Sequence, residues 1–239
     1  RKVTPKKRVA LIIEVRERLA AESLFSAGDT VLAPDRVPIQ VPLALATASL
    51  DRNGRVAVEA LYAFGTLAGE VSPADRGRLL TEVAPMLSGI VGAPDPMLRL
   101  AAVRIVGRVY AWRPGDRPIE ETIGDAVISA LNDREERIRE TAMWALGSMR
   151  YERSVQALSE LFTFYRKGPL AERSLDALAR IGHEASLPLF VEQMNGRNLT
   201  YKLIAIEGMA RIGDQSHSEE VQSSVRVERN EAVLLAGHF

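Results

Sequence analysis

The 239-residue sequence has no cysteine, which excludes a disulfide framework and a thiolate metal site. A cysteine-free chain suits the cytosol and the periplasm alike, so the compartment stays open. It has no surplus of either charge: 31 Lys plus Arg face 31 Asp plus Glu. A general polyanion binder needs excess positive charge to release counterions from phosphates, so only a local basic patch remains open to that role. No apolar run approaches the ~20 residues of a membrane helix. The stretch Val9–Ile13 stops at Glu14 and is too short for a signal-peptide core. There is no Gly-rich phosphate loop, no Ser/His/Asp order and no HExxH, and nothing implies a cofactor or a metal. The sequence opens on Arg1 rather than Met, which reads as a processed or trimmed start. Pro5-Lys6-Lys7-Arg8 has the composition of a nuclear import signal but reads as a solvated head before the first helix.

What the chain does have is apolar material, 46% of its residues, arranged as a repeat. Five segments align without gaps, starting at Arg55, Met97, Arg137, Pro169 and Thr200. With Gly65, Gly107, Gly147, Ala179 and Ala210 as the reference column, the spacings are 42, 40, 32 and 31 residues. Nine positions earlier stand Val56, Leu98, Ile138, Leu170 and Tyr201. Five earlier every residue is small: Ala60, Ala102, Ala142, Ser174 and Ala205. One earlier come Phe64, Val106, Leu146, Leu178 and Met209; two later, Leu67, Val109, Met149, Ile181 and Ile212. These offsets fall on one stripe of a 3.6-residue helix, and the small column is where another helix can approach.

A first helix is expected before each of these second helices: Pro38–Leu50, Asp75–Ile90, Pro118–Leu131, Glu152–Tyr165, Glu184–Met194 and Ser216–Glu228. Pro42, Pro85, Ala157 and Pro188 form a further column, which predicts a recurring bend in these helices. No useful β-alternation appears. Stacked helix pairs of this length predict an all-α, right-handed α-solenoid. Residues 1–36 are expected to form a basic head and an N-terminal capping helix over Arg8–Ser26. Residues 37–239 then hold about five full repeats and a truncated sixth, opened by Ala232–Ala236 and leaving Val233, Leu234 and Phe239 uncovered.

Asp133 in the turn, Ile138-Arg139 opening the helix and Ala145-Leu146-Gly147 closing it resemble the HEAT-like repeat, most closely the bacterial class also named after phycobilisome lyases. Leu98-Arg99 with Val106-Gly107 fits the same pattern, as does Asp51, although Ala57 stands where Arg is expected. The resemblance covers residues 37 to 239. It implies that Asp51, Arg99, Asp133 and Arg139 are structural, pairing arginines with turn aspartates to tie repeats together. It also implies that the three glycines are close-packing positions. Two enzymatic relatives can be tested against the residues. Deoxyhypusine hydroxylases hold two irons with several His-Glu pairs, and this chain has one, His183-Glu184, among three histidines. HEAT-like DNA glycosylases use a basic, aromatic concave face. Lyase activity is suggested only by the name of the repeat class.

One column lies opposite the apolar stripe: Tyr62, Arg104, Trp144, Asp176 and Glu207, followed one turn on by Thr66, Arg108, Ser148, Arg180 and Arg211. If the second helices line the concave face of the solenoid, these ten residues pave its ridge. Tyr, Trp and Arg dominate binding energy in interfaces. Tyr62, Arg104, Arg108, Trp144, Arg180 and Arg211 are therefore the candidate protein-binding residues, with Trp144 either a contact residue or packed on a neighbouring repeat. The expected function is a non-catalytic scaffold for a protein or peptide partner. The alternative is a nucleic-acid-binding or glycosylase-like protein using Arg99, Arg104, Arg108 and Arg139.

Overall fold

A computed structural model describes residues 3–26, 37–115, 118–213, 219 and 222. Among them the regular elements are all helical. The second helices are α3 (Gly54–Leu67), α5 (Pro96–Val109), α7 (Glu136–Met149), α9 (Pro169–Ile181) and α11 (Leu199–Ile212), each opening within one residue of its aligned segment. The first helices are α2 (Gln40–Ala48), α4 (Pro73–Val91), α6 (Glu121–Ala130), α8 (Val155–Tyr165) and α10 (Leu187–Met194), and α1 (Pro5–Ser26) precedes them all. The architecture is an α-solenoid. The expected helix Ser216–Glu228 and the truncated sixth repeat lie outside the described residues, apart from positions 219 and 222.

Local chemistry fixes the helix starts. Asn53 accepts the Val56 N–H at 3.2 Å and opens α3. Ser72 accepts the Asp75 N–H at 3.1 Å and donates its hydroxyl to Asp75 at 2.7 Å, with Pro73 in the first turn of α4. Asp95 accepts the Met97 N–H at 2.9 Å before Pro96, and Asn198 accepts the Thr200 N–H at 3.0 Å. The first helices depart from expectation at their starts. α6 begins at Glu121, three residues after Pro118, and α8 and α10 are each preceded by a 3-10 turn, Glu152–Ser154 and Glu184–Ser186. The proline column does not make a recurring bend. Pro42 and Pro188 sit in first turns, where a missing N–H costs nothing, and only Pro85 lies inside its helix.

The chain forms two compact units, residues 1–142 and 143–239. In the first, α1 packs on α3 and α3 on α5, while α2 packs on α4 and α4 on α6. In the second, α8 packs on α9, α10 on α11 and α9 on α11. The small column makes these approaches: Ala60, Ala102, Ala142, Ser174 and Ala205 are all fully buried. The column one before the reference is buried throughout; of the outer columns, Leu98 and Ile212 are half-buried. The glycine column is a packing feature: a Cβ on Gly65 would come within 2.5 Å of Ile105 Cδ1, and one on Gly147 within 3.0 Å of Ala177 Cα. At the end of α5, buried Arg76 of α4 donates to the Val109 carbonyl at 2.7 Å, and Tyr110 donates its hydroxyl to Leu80 O at 2.6 Å. A cation at the carbonyl end of a helix meets its favourable dipole end.

Two glycines outside the reference column test this packing. A Cβ on Gly208 of α11 would lie 2.6 Å from the ring of Phe190, which is fully buried. Gly208→Ala should therefore destabilise by about 1–3 kcal/mol through overpacking. Gly89 of α4 is exposed with nothing within 4 Å of a Cβ. Gly89→Ala should stabilise by about 0.5 kcal/mol through backbone entropy. Thermal melts of the two variants should move in opposite directions.

Candidate functional site

Arg99, in the first turn of α5, meets Asp133 in the turn before α7. Its Nε donates to Asp133 Oδ2 at 2.7 Å and its Nη2 to Oδ1 at 3.0 Å. Its Nη1 donates to the carbonyls of Ala93 at 3.0 Å and Pro94 at 2.9 Å. Asp133 also accepts the Glu135 N–H at 2.9 Å. The hydrogen bonds from Arg99 hold the Asp133 carboxyl below the usual carboxylate range, against an opposing effect of burial. The same pairing raises the Arg99 guanidinium above its ordinary value. A forked guanidinium on a carboxylate gives this contact geometric specificity as well as strength.

The other structural residues divide. Asp51 pairs with Arg8 of α1 and accepts the Asn53 N–H at 2.8 Å. Arg8, read from sequence as part of a solvated head, is thus a rung. Residues 43 apart join here against 34 for Arg99 and Asp133, and the unequal spacing hid the match. Arg139 donates instead to carbonyls of its own turn, Asp133 O at 2.8 Å and Arg134 O at 3.1 Å. Asp95 caps α5, and Ala57 supplies no cation to it.

The candidate contact residues lie on the faces opposite the packing columns. In the first unit Tyr62 is half-buried, and Arg104 and Arg108 are exposed. In the second, Trp144 is half-buried, while Arg180 and Arg211 are exposed. Arg180 donates to Asp176 Oδ2 at 2.9 Å, one turn earlier on α9. Arg211 donates to the Arg180 carbonyl at 3.3 Å. Among the described residues no group of three His, Asp or Glu is placed to hold a metal, and no helix is long and apolar enough to cross a membrane. His183 follows the Gly182 that ends α9. Its Nδ1 accepts the Ala185 N–H at 3.2 Å and caps the following 3-10 turn.

The family model of HEAT repeats matches residues 83–163, the segment that holds the Arg99–Asp133 pair. Residues 83–163 carry HEAT repeats, and the fold of the chain is that of HEAT-like and armadillo repeat proteins. An archaeal HEAT-like repeat protein from Thermococcus onnurineus NA1 shares the fold over 100% of this chain and 95% of its own, with TM-score 0.62 and 11% identity. A designed armadillo repeat protein in complex with the peptide (KR)4 is similar over 83% of this chain and 97% of its own, with TM-score 0.58 and 13% identity. The CpcE–CpcF complex of phycocyanin lyase from Nostoc sp. PCC7120 gives TM-score 0.47 at 15% identity, covering 99% of this chain and 86% of that one. No curated protein matches the chain in sequence.

The Arg99–Asp133 rung of this HEAT-like chain carries a test. Their side chains are only 17% and 9% exposed, so removing the acceptor strands a partly buried guanidinium. Asp133→Asn should cost about 1.5–3 kcal/mol, the range for a hydrogen bond to a charged group. Because the Asp133 carboxyl titrates low in the folded state, its contribution is complete above the ordinary Asp value of about 3.9. It disappears as pH falls through the folded value. Urea melts of the two proteins should differ at neutral pH and converge in acid.

Proposed function

We propose that this HEAT-like chain is a non-catalytic scaffold that holds a protein or peptide partner on the outward faces of its second helices. The contact residues are Tyr62, Arg104 and Arg108 in the first unit and Trp144, Arg180 and Arg211 in the second. One observation carries the reading. On the same helices, the packing columns are buried while these arginines stand exposed and the two aromatics are half-buried. A half-buried aromatic beside exposed arginines offers apolar area and ion pairing together, the mixture found at interface hot spots. The designed armadillo neighbour, similar in fold, binds the peptide (KR)4, a precedent for a peptide partner.

The nucleic-acid alternative has less support. Two of its four arginines are already engaged: Arg99 by Asp133, Ala93 and Pro94, and Arg139 by the carbonyls of its own turn. The balanced charge of 31 against 31 supplies no compensating surplus.

Trp144→Ala tests the scaffold reading. A contact residue of this type should lose about 2 kcal/mol or more of partner affinity when truncated, measured by calorimetry with a captured partner. The melting temperature should change little. A packing tryptophan would instead lose about 3–5 kcal/mol of stability, and a large drop in melting temperature would remove Trp144 from the contact surface.

A further inference from the structure

At one edge of the second unit, the turns inside its two helix pairs lie side by side. Residues 166–168 join α8 to α9, and residues 195–198 join α10 to α11. The Phe162 ring, in the last turn of α8, meets Tyr201 in the first turn of α11 edge-on, with centroids 5.5 Å apart, and α9 packs on α11. Two residues from each of these buried rings stands an open apolar side chain. Phe164 is 77% exposed, the highest value among the large apolar residues described, and Leu199 is 43% exposed. Two steps along an α-helix turn a side chain by about 200°. The register that buries Phe162 and Tyr201 therefore sets Phe164 and Leu199 outward. The Phe164 ring is held there by half-buried Tyr165, which it meets edge-on with centroids 5.1 Å apart.

The charges of the two turns have one sign. Arg166, Lys167 and Arg197 are exposed, and neither turn holds a carboxylate. Among the described residues none of these three side chains forms an ion pair. Of the acids on the adjoining helices, Glu160 accepts from Gln156 at 3.0 Å one turn before Phe164, and Glu172 stands in the first turn of α9 with exposed Arg173 next to it. Arg166 has φ 59, a conformation strained for an L side chain, although glycine takes a positive φ two residues on, at Gly168. Strain of this kind persists where a residue is used. Of residues 163–169 and 195–200, only Tyr165 and Gly196 are less than exposed, so the two turns are projecting tips and not the walls of a cleft.

We propose that this edge docks on an anionic lipid surface. Phe164 and Leu199 enter the boundary between headgroups and acyl chains, and Arg166, Lys167 and Arg197 lie over acidic headgroups. Apolar tips flanked by cations match the two layers of such a surface, an apolar boundary beneath an anionic one. Three cations and two apolar side chains give weak, reversible association, of the order that one myristoyl chain gives, with K about 10⁴ M⁻¹. The edge lies at the N-terminal ends of α9 and α11, whereas Arg180 and Arg211 occupy their last turns, so a lipid surface and a held partner use different parts of the unit.

The full chain is tested by sedimentation with vesicles of phosphatidylcholine alone and of phosphatidylcholine mixed with phosphatidylserine at roughly 7:3. It should sediment with the acidic vesicles, not with the neutral ones, and less as salt rises. Replacing Arg166, Lys167 and Arg197 together by Gln should weaken binding by about tenfold or more. Phe164→Ala should weaken it by about fivefold or more. Both variants change exposed side chains, so their circular dichroism melts should stay close to that of the parent chain. Equal sedimentation with neutral vesicles, none with acidic ones, or binding indifferent to either variant overturns the proposal. Fluorescein-labelled (Asp-Glu)4 provides the other arm: if it binds more tightly than the acidic vesicles and is lost in the Gln variant, the edge takes an acidic protein segment and the lipid assignment falls.

Discussion

Close approach of the second helices is the constraint on which the rest depends. Ala60, Ala102, Ala142, Ser174 and Ala205 have no exposed surface, and Gly65 leaves no room for even a Cβ beside Ile105. When backbones come this near, larger neighbours such as Phe64, Leu146 and Leu178 are driven into complete burial one turn on. Close packing at this density makes a single added methyl costly. The consequence for function is directional. With one stripe of each helix committed to its neighbours, the opposite column keeps open surface: Arg104 and Glu207 are exposed, and Tyr62, Trp144 and Asp176 half-buried.

Polar contacts add specificity where the apolar stripe alone is ambiguous. In the first unit, Arg8 of α1 with Asp51 and Arg99 of α5 with Asp133 each join a helix to a turn dozens of residues away. The forked geometry of Arg99 also satisfies the Ala93 and Pro94 carbonyls, so one side chain serves two turns. The second unit is held differently. Buried Ala171 occupies the place of the ladder arginine in α9, and contact comes from the edge of Phe162 on Tyr201, ring centroids 5.5 Å apart, and from Ser174 Oγ near the Met143 sulfur at 3.5 Å. Arg180 and Arg211 of this unit lie in the last turns of α9 and α11.

There each meets the end of a neighbouring second helix, Arg180 beside Gly147 and Arg211 beside Gly182. A cation over a helix C-terminus is favourable by itself, so Arg180 and Arg211 need no ligand to be well placed. Arg150 is different because it closes α7 in the left-handed region, at φ 51, where an L side chain is strained.

The second helices were legible in the residues because helix packing writes a local pattern. Apolar positions at −9, −5, −1 and +2 must share a face, and turn residues such as Asn53, Asp95 and Asn198 must satisfy the first N–H groups. The Arg99–Asp133 rung was legible through its likeness to the HEAT pattern. Two things only the tertiary structure decided. Arg8 joined Asp51 because α1 packs on α3, and no local spacing announces a partner 43 residues away when repeat length varies. Arg150 took the left-handed conformation that Gly182 and Gly213 take after α9 and α11, and closes α7 with its N–H on Gly147 O. Periodicity fixes which face a side chain occupies, and packing in three dimensions fixes which other chain segments share that face.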